Sequence, residues 1–208
     1  STLATEIDTV KSGVSFRLSA NIENLELTGS AISGTGNGLD NIITGNALDN
    51  ILEGGGGVAD TLIGLDGNDQ YIVDDSNDTI IEGATLGSGT DTITSSADYN
   101  LTSAANVENL TLTGAAISGT GNTENNTITG NDQSNTLDGG AGADQLIGGL
   151  GNDTYIVDNT GDVLSETSTL ATEIDTVESS ADYSLAAIAN VENLTLTGAA
   201  ISGTGNTE

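Results

Sequence analysis

Consecutive nine-residue units dominate the second half of the chain: GNTENNTIT, GNDQSNTLD, GGAGADQLI and GGLGNDTYI, opening at Gly121, Gly130, Gly139 and Gly148. Their sixth residues are Asn126, Asn135, Asp144 and Asp153, and their eighth are Ile128, Leu137, Leu146 and Tyr155. The first half repeats the pattern with one residue inserted in the run Gly54–Gly57. There the sixth-position residues are Asn41, Asn50, Asp60 and Asp69, with apolar partners Ile43, Leu52, Leu62 and Tyr71. The beat continues without glycines to Asp78 and Asp162, followed by Ile80 and Leu164. Nine residues with one fixed apolar position make a turn plus a very short strand. A helix is disfavoured, because Gly and Asn recur every few residues and both oppose helix propagation. Gly in the opening positions lets the backbone take positive φ and curl its carbonyls inward, and the sixth side chain points into that curl.

A longer period encloses the short one. EIDTV occurs at Glu6–Val10 and Glu173–Val177, and GTDTI fills the same slot at Gly89–Ile93, so Asp8, Asp91 and Asp175 stand 83 and 84 residues apart. ENLxLTG begins at Glu23, Glu108 and Glu192, and AISGTGN follows from Ala31, Ala116 and Ala200. The expected organisation is a partial module at 1–33, then modules at 34–118 and 119–202 with nonapeptide turns at about 36–81 and 121–165. A truncated third module starts at 203–208, and a chain that opens on Ser1 and stops inside a repeat is expected to be a window on a longer protein. The rest of each module, such as DTITSSADYNLTSAANVENLTLTGAAISG from Asp91, keeps the beat: Leu101 and Leu110 are nine apart, and Leu110 and Ile128 eighteen. It is expected to form further rungs of one continuous solenoid, with metal-free turns.

Composition decides what such turns need. Asp+Glu number 31 against Lys+Arg 2, a formal net charge of −29, and aromatic residues make up 2%. An acidic, Gly-rich chain stays disordered unless something neutralises it. Phosphate backbones and anionic membrane surfaces need Lys and Arg, so nucleic acid and membrane are excluded as partners. With His and Cys both 0, zinc sites, Ser–His or Cys–His nucleophiles and disulfides are excluded too. No signal peptide is evident, and no apolar run is long enough to span a bilayer. If two units make one coil, unit n stacks on unit n+2 at about 4.8 Å. Two carboxylates at that spacing repel by roughly 1–3 kcal/mol. A hard divalent cation between the turns removes the repulsion, and flexible all-oxygen ligation suits Ca²⁺ better than Mg²⁺.

GGAGADQLI followed directly by GGLGNDTYI resembles the GGxGxDxUx nonapeptide of RTX (repeats-in-toxin, haemolysin-type) calcium-binding proteins. The first copy matches less closely, with GGGVADTLI from Gly55 and GLDGNDQYI from Gly64. The resemblance implies an all-β fold, a parallel β-roll or β-solenoid of nonapeptide turns with longer metal-free rungs between them, and Ca²⁺ between stacked turns. It implies as ligands the carboxylates of Asp60, Asp69, Asp144 and Asp153, with Asp78 and Asp162 on the same beat. It adds backbone carbonyls near the first to fourth positions: Gly55 and Gly57; Gly64, Asp66 and Gly67; Gly139, Ala141 and Gly142; Gly148, Leu150 and Gly151. Stacking n on n+2 pairs Asp60 with Asn41 or Asp78, Asp144 with Asn126 or Asp162, Asp69 with Asn50, and Asp153 with Asn135. The amide oxygens of Asn41, Asn50, Asn126 and Asn135 are weaker, uncharged ligands, and their turns are expected to stack as asparagine ladders. One or two firm sites per module are expected.

Blander readings stand beside these. Asp next to Gly commonly forms solvated Asx-turns. GTGNGL from Gly34 faintly echoes a dinucleotide loop, but no helical pattern follows it. Tyr71 and Tyr155 occupy the recurring apolar slot and read as core rungs. Sequons such as Asn109-Leu110-Thr111 arise from composition, and Lys11 and Arg17 indicate only local salt bridges. Carboxylates that recur in every copy point to structure and not to a catalytic dyad, so no enzyme activity is expected.

The function expected is a calcium-binding structural repeat segment of a secreted or cell-surface bacterial protein: an adhesin, an S-layer-like protein or an extracellular filament, folding on calcium after export. The alternative is the calcium module of a secreted RTX hydrolase or toxin. A minor alternative is carbohydrate or ice recognition through Thr111 and Thr113 or Thr195 and Thr197, which Glu26 and Thr28 interrupt in the first copy. Open solenoid ends expose strand edges, so end-to-end or filamentous self-association is an expected mode of contact.

Overall fold

The computed structural model describes residues 6–83, 89–168, 170 and 172–207. Two compact units are present: one of the described residues up to Ser96 together with Ser103–Val107, the other of Ala97–Thr102 and the described residues from Glu108 onward. Each is a parallel β-solenoid whose strands are two to four residues long.

In the first unit one face stacks Thr9–Ser12, Asn24–Leu27, Ile42–Thr44, Thr61–Ile63 and Thr79–Ile81. The opposite face stacks Phe16–Arg17, Ser33–Thr35, Ile51–Glu53, Gln70–Val73 and Thr92–Ser95. The second unit has Asn109–Leu112, Thr127–Thr129, Gln145–Ile147 and Val163–Ser165 on one face. Its other face runs from Tyr99–Asn100 through Ser118–Thr120, Thr136–Asp138, Thr154–Val157 and Thr176–Ser179 to Asn193–Leu196. Strands nine residues apart therefore alternate faces, and repeat n lies beside repeat n+2, as a coil of two nonapeptides requires.

In short strands only one or two side chains point inward, and those inward positions are the apolar slots of the sequence. Leu25, Ile43, Leu62 and Ile80 form one ladder, and Leu52, Tyr71 and Ile93 the ladder facing it. Leu110, Ile128, Leu146 and Leu164 face Leu137, Tyr155 and Val177 in the second unit, all buried. Each such residue contributes roughly 1.5–3 kcal/mol through burial.

The core has a volume-matching device. Gly34 and Gly119 occupy inward slots that hold Leu52 and Leu137 one coil on. A Cβ on Gly34 would lie 3.0 Å from Leu25 Cδ2 and 3.1 Å from Ile43 Cγ2. One on Gly119 would lie 3.2 Å from both Leu110 Cδ2 and Ile128 Cγ2. Where ENLxLTG sends paired leucines inward, the opposing AISGTG rung must be bare.

The structure departs from a strict eighteen-residue coil. Tyr71 pairs with Ile93 and Tyr155 with Val177, both 22 residues on, while Val10 pairs with Leu25 after 15. Leu101 does not take the slot that its spacing from Leu110 implies. Tyr99 stands opposite Gly119 instead, and Leu101 is buried in the 3₁₀ turn Leu101–Ser103. The larger ring fills the volume that Gly119 leaves, and the tight turn tucks Leu101 under the corner.

Gly119→Val, which overfills this rung, is expected to lower the stability of the calcium-loaded protein by about 1–3 kcal/mol. Denaturant unfolding reads it, and an unchanged midpoint would show that the rung has spare volume.

Candidate metal centre

The sixth-position side chains all point into the turns and form columns that run from coil to coil. The Asn41 N–H donates to Asp60 Oδ1 at 2.7 Å, and the Asp60 N–H to Asp78 Oδ1 at 2.9 Å. The Asn50 N–H donates to Asp69 Oδ1 at 2.6 Å, and the Asp69 N–H to Asp91 Oδ1 at 2.7 Å. In the second unit the columns are Asn126–Asp144–Asp162 at 2.7 and 3.0 Å and Asn135–Asp153–Asp175 at 2.7 and 2.7 Å. Each carboxylate therefore accepts, through one oxygen, the backbone N–H of the coil before it. Every one of these side chains is buried.

Asn and Asp differ in what their second polar atom meets. Asn41, Asn50, Asn126 and Asn135 turn Oδ1 to a backbone N–H of their own turn, four residues back, at 2.7–2.8 Å. Their Nδ2 groups donate to main-chain carbonyls of the preceding coil, at Ile22 and Glu23, Ala31, Glu108 and Ala116. An amide carries both a donor and an acceptor, so these turns close with neutral hydrogen bonds. An ionised carboxylate has no donor. Oδ2 of Asp60, Asp69, Asp144 and Asp153 is buried and accepts no hydrogen bond.

The opening glycines belong to the same arrangement. A Cβ on Gly54, Gly64, Gly139 or Gly148 would strike the Oδ2 of Asp60, Asp69, Asp144 or Asp153. Counting by sequence puts Gly55 first in its unit, but the inserted residue leaves Gly54 in the place that Gly64, Gly139 and Gly148 hold. Gly67 and Gly151 have φ of +124° and +111°. A Cβ there would also lie 2.7 Å from Leu48 O and 2.6 Å from Gln133 O on the coil before. Leu65, at φ +83°, takes the left-handed conformation where the second copy has Gly149, which costs about 1–2 kcal/mol. The third-position residues Asp66, Ala141 and Leu150 lie on the exposed lip of their turns.

Burial without a counter-charge disfavours the ionised form. Burial pushes the carboxyls of Asp60, Asp69 and Asp144 up to about 6, against the hydrogen bonds from Asn41, Asn50 and Asn126, which act to lower them. Asp153 is pushed up to about 7, by burial first and then by Glu166, Asp175 and Glu173 nearby. Burial likewise raises Asp175 to about 6, and raises Asp78 and Asp162.

Carboxylate oxygens converge within 4.8 Å in three sets: Asp60–Asp74–Asp78, Asp69–Glu82–Asp91 and Asp153–Glu166–Asp175. Glu82, Asp91, Glu166 and Asp175 escape a count by nines. A step of eighteen from Asp69 or Asp153 stops four residues short of Asp91 or Asp175, because those coils are longer. Their one signal is the EIDTV/GTDTI marker that frames the long module. Other acids are structural: exposed Asp40 and Asp49 accept the N–H groups of Val58 and Asn68 on the next coil, at 2.9 and 2.8 Å.

The donor set suits calcium: hard oxygens only, buried carboxylate oxygens lacking partners, and glycines that bring turn carbonyls close. The family profile of the RTX calcium-binding nonapeptide repeat matches four copies, over residues 59–80 and 120–155. No curated protein and no solved structure matches the chain. The columns that end in unpartnered Asp oxygens lie within the matched stretches, and calcium is the ion such repeats bind. The protein is thus an all-β parallel solenoid that carries RTX calcium-binding nonapeptide repeats.

Proposed function

We propose that this chain is a calcium-gated structural segment of a secreted or cell-surface bacterial repeat protein, such as an adhesin stalk or S-layer-like assembly. One observation carries the reading. Buried Asp oxygens recur coil after coil without a donor, in a chain whose Lys+Arg count is 2 and whose His count is 0. Both basic residues, Lys11 and Arg17, precede the first nonapeptide, and Lys11 is already paired with Glu26. The neutralising charge has to come from solution.

In a cytosol poor in free calcium, like-charge repulsion and the unpartnered oxygens hold the chain open, in a form suited to threading through an export channel. Extracellular modules bind calcium at about 10⁻⁴–10⁻³ M, so the outside medium fills the turns. Binding free energy then becomes folding free energy. Asp60, Asp69, Asp144 and Asp153 supply the carboxylates, and the inward-curled carbonyls of the same turns supply the remaining oxygens. The Asn turns need no ion, so they template the stack. The carboxylates recur with the modules, which favours a stalk or scaffold over a catalytic site.

Protons compete for the same oxygens. The metal-free folded state holds these carboxyls at about 6–7, above the unfolded value near 4. It therefore binds protons more tightly than the unfolded chain, and its stability is fully present below about pH 4 and lost as pH rises through 6–7. Calcium needs the ionised form, so its apparent affinity rises over the same window. In EDTA the melting temperature is expected to fall between about pH 5 and pH 8, and in millimolar calcium it is expected to rise. Parallel trends in the two media would contradict the competition.

Far-UV circular dichroism tests the gating itself. A coil-to-sheet transition is expected when calcium, and not magnesium at equal concentration, is added to the EDTA-treated chain. Asp144→Asn with Asp153→Asn imitates the hydrogen-bonded Asn turns. It is expected to raise the sheet signal in EDTA and to blunt the calcium response. A chain fully folded in EDTA at neutral pH would overturn the proposal.

A further inference from the structure

The last nonapeptide of each series ends in Tyr, at Tyr71 and Tyr155, where the other units have Ile or Leu. Both rings are fully buried, yet neither hydroxyl is wasted. Tyr155 donates to Glu166 Oε2 at 2.6 Å, and Tyr71 donates to Glu82. Burial and Glu166 together hold the Tyr155 phenol protonated, so it acts as a donor.

The Glu that each Tyr anchors lies beside two further carboxylates. Oxygens of Asp153, Glu166 and Asp175 come within 4.8 Å of one another, as do those of Asp69, Glu82 and Asp91. A second and independent observation points to a ligand. Asp153 is 1% exposed and Asp69 2% exposed, and in each the Oδ2 accepts no hydrogen bond. That oxygen is aimed into its cluster: a Cβ on Gly148 would strike Asp153 Oδ2, Tyr155 Oη and Glu166 Oε2 together. The same three kinds of oxygen crowd the bare side of Gly64. The cluster members Glu166, Asp175, Glu82 and Asp91 all lie outside the residues that match the nonapeptide profile, 59–80 and 120–155.

We propose that Asp153, Glu166 and Asp175 form a three-carboxylate calcium site of a second kind, and that Asp69, Glu82 and Asp91 form its counterpart in the first unit. The proposal rests on the reading that calcium fills the repeat turns, and extends it to residues that the repeat motif does not contain.

In the second unit each carboxylate keeps one oxygen on a protein donor: Asp153 on the Asn135 N–H, Asp175 on the Asp153 N–H and Glu166 on the Tyr155 hydroxyl. These bonds orient the second oxygens and moderate the excess negative charge over a divalent ion. Three carboxylates on flexible connections favour calcium over magnesium, which demands a tighter octahedron. The site follows the last nonapeptide of its series, where the coil lengthens to 22 residues. It pins that longer coil to the stack, with Tyr155 or Tyr71 as the positioning residue.

Native mass spectrometry and chelator-buffered titration of the whole chain with calcium test this. Glu82→Gln with Glu166→Gln is expected to lower the bound calcium by one ion per cluster and leave the remaining ions and the folded dichroism in place. Asp132→Asn, a single exposed acid elsewhere, is expected to lose none. Tyr71→Phe with Tyr155→Phe is expected to keep the ion count at saturation and to weaken those same ions about tenfold. An unchanged count in the Glu pair overturns the proposal. If that pair does not fold, equal affinities in the Tyr pair and the unaltered chain overturn it. An unaltered chain that binds no calcium at all overturns the repeat-turn reading beneath it as well.

Discussion

A buried carboxylate oxygen with no donor is the constraint on which this architecture turns. In each column the first oxygen of an Asp is satisfied by the coil before it, as in Asp153 accepting from Asn135. The second oxygen faces a space walled by a glycine and, in the last nonapeptides, by a tyrosine hydroxyl and a glutamate. Most proteins would place Arg or Lys there. This chain has none beyond Arg17, so the charge balance that permits folding lies in the medium. Stability thereby becomes a function of ion activity, which is a property an exported scaffold can use and an intracellular one cannot.

The alternation of Asn and Asp divides labour within each column. Asn41, Asn50, Asn126 and Asn135 begin their columns, and their amides bond both within the turn and to the coil before. Those coils close without help. The Asp residues that follow use the Asn backbone as their donor, so the neutral coil positions the charged one. Volume is handled in the same way: Gly34 and Gly119 leave room for the paired leucines opposite, and Tyr99 fills what Gly119 vacates.

Much of this was legible in the sequence because the period is short and the inward positions are few. The nine-residue beat foretells which residues are buried, which coils are neighbours and which side chains enter the turns, and Leu110 does pair with Ile128. Legibility ends where coil length changes. Asp91 and Asp175 occupy the column below Asp69 and Asp153, but the longer coils break the count. Glu82 and Glu166 are invisible to periodicity, since they enter the site only through a bond to a buried tyrosine that reads as a plain core residue. Tyr99 in place of Leu101 is a matter of three-dimensional volume, set by a glycine on another rung. A linear pattern carries register and polarity. It does not carry the space that one rung leaves for another.

The most direct measurement is a crystal structure of this chain grown in calcium, with the ions located by their anomalous signal. The account predicts an ion about 2.3–2.6 Å from Oδ2 of Asp60, Asp69, Asp144 and Asp153. Those oxygens occupied only by water or by protein donors, in a fully folded chain at neutral pH, would contradict it.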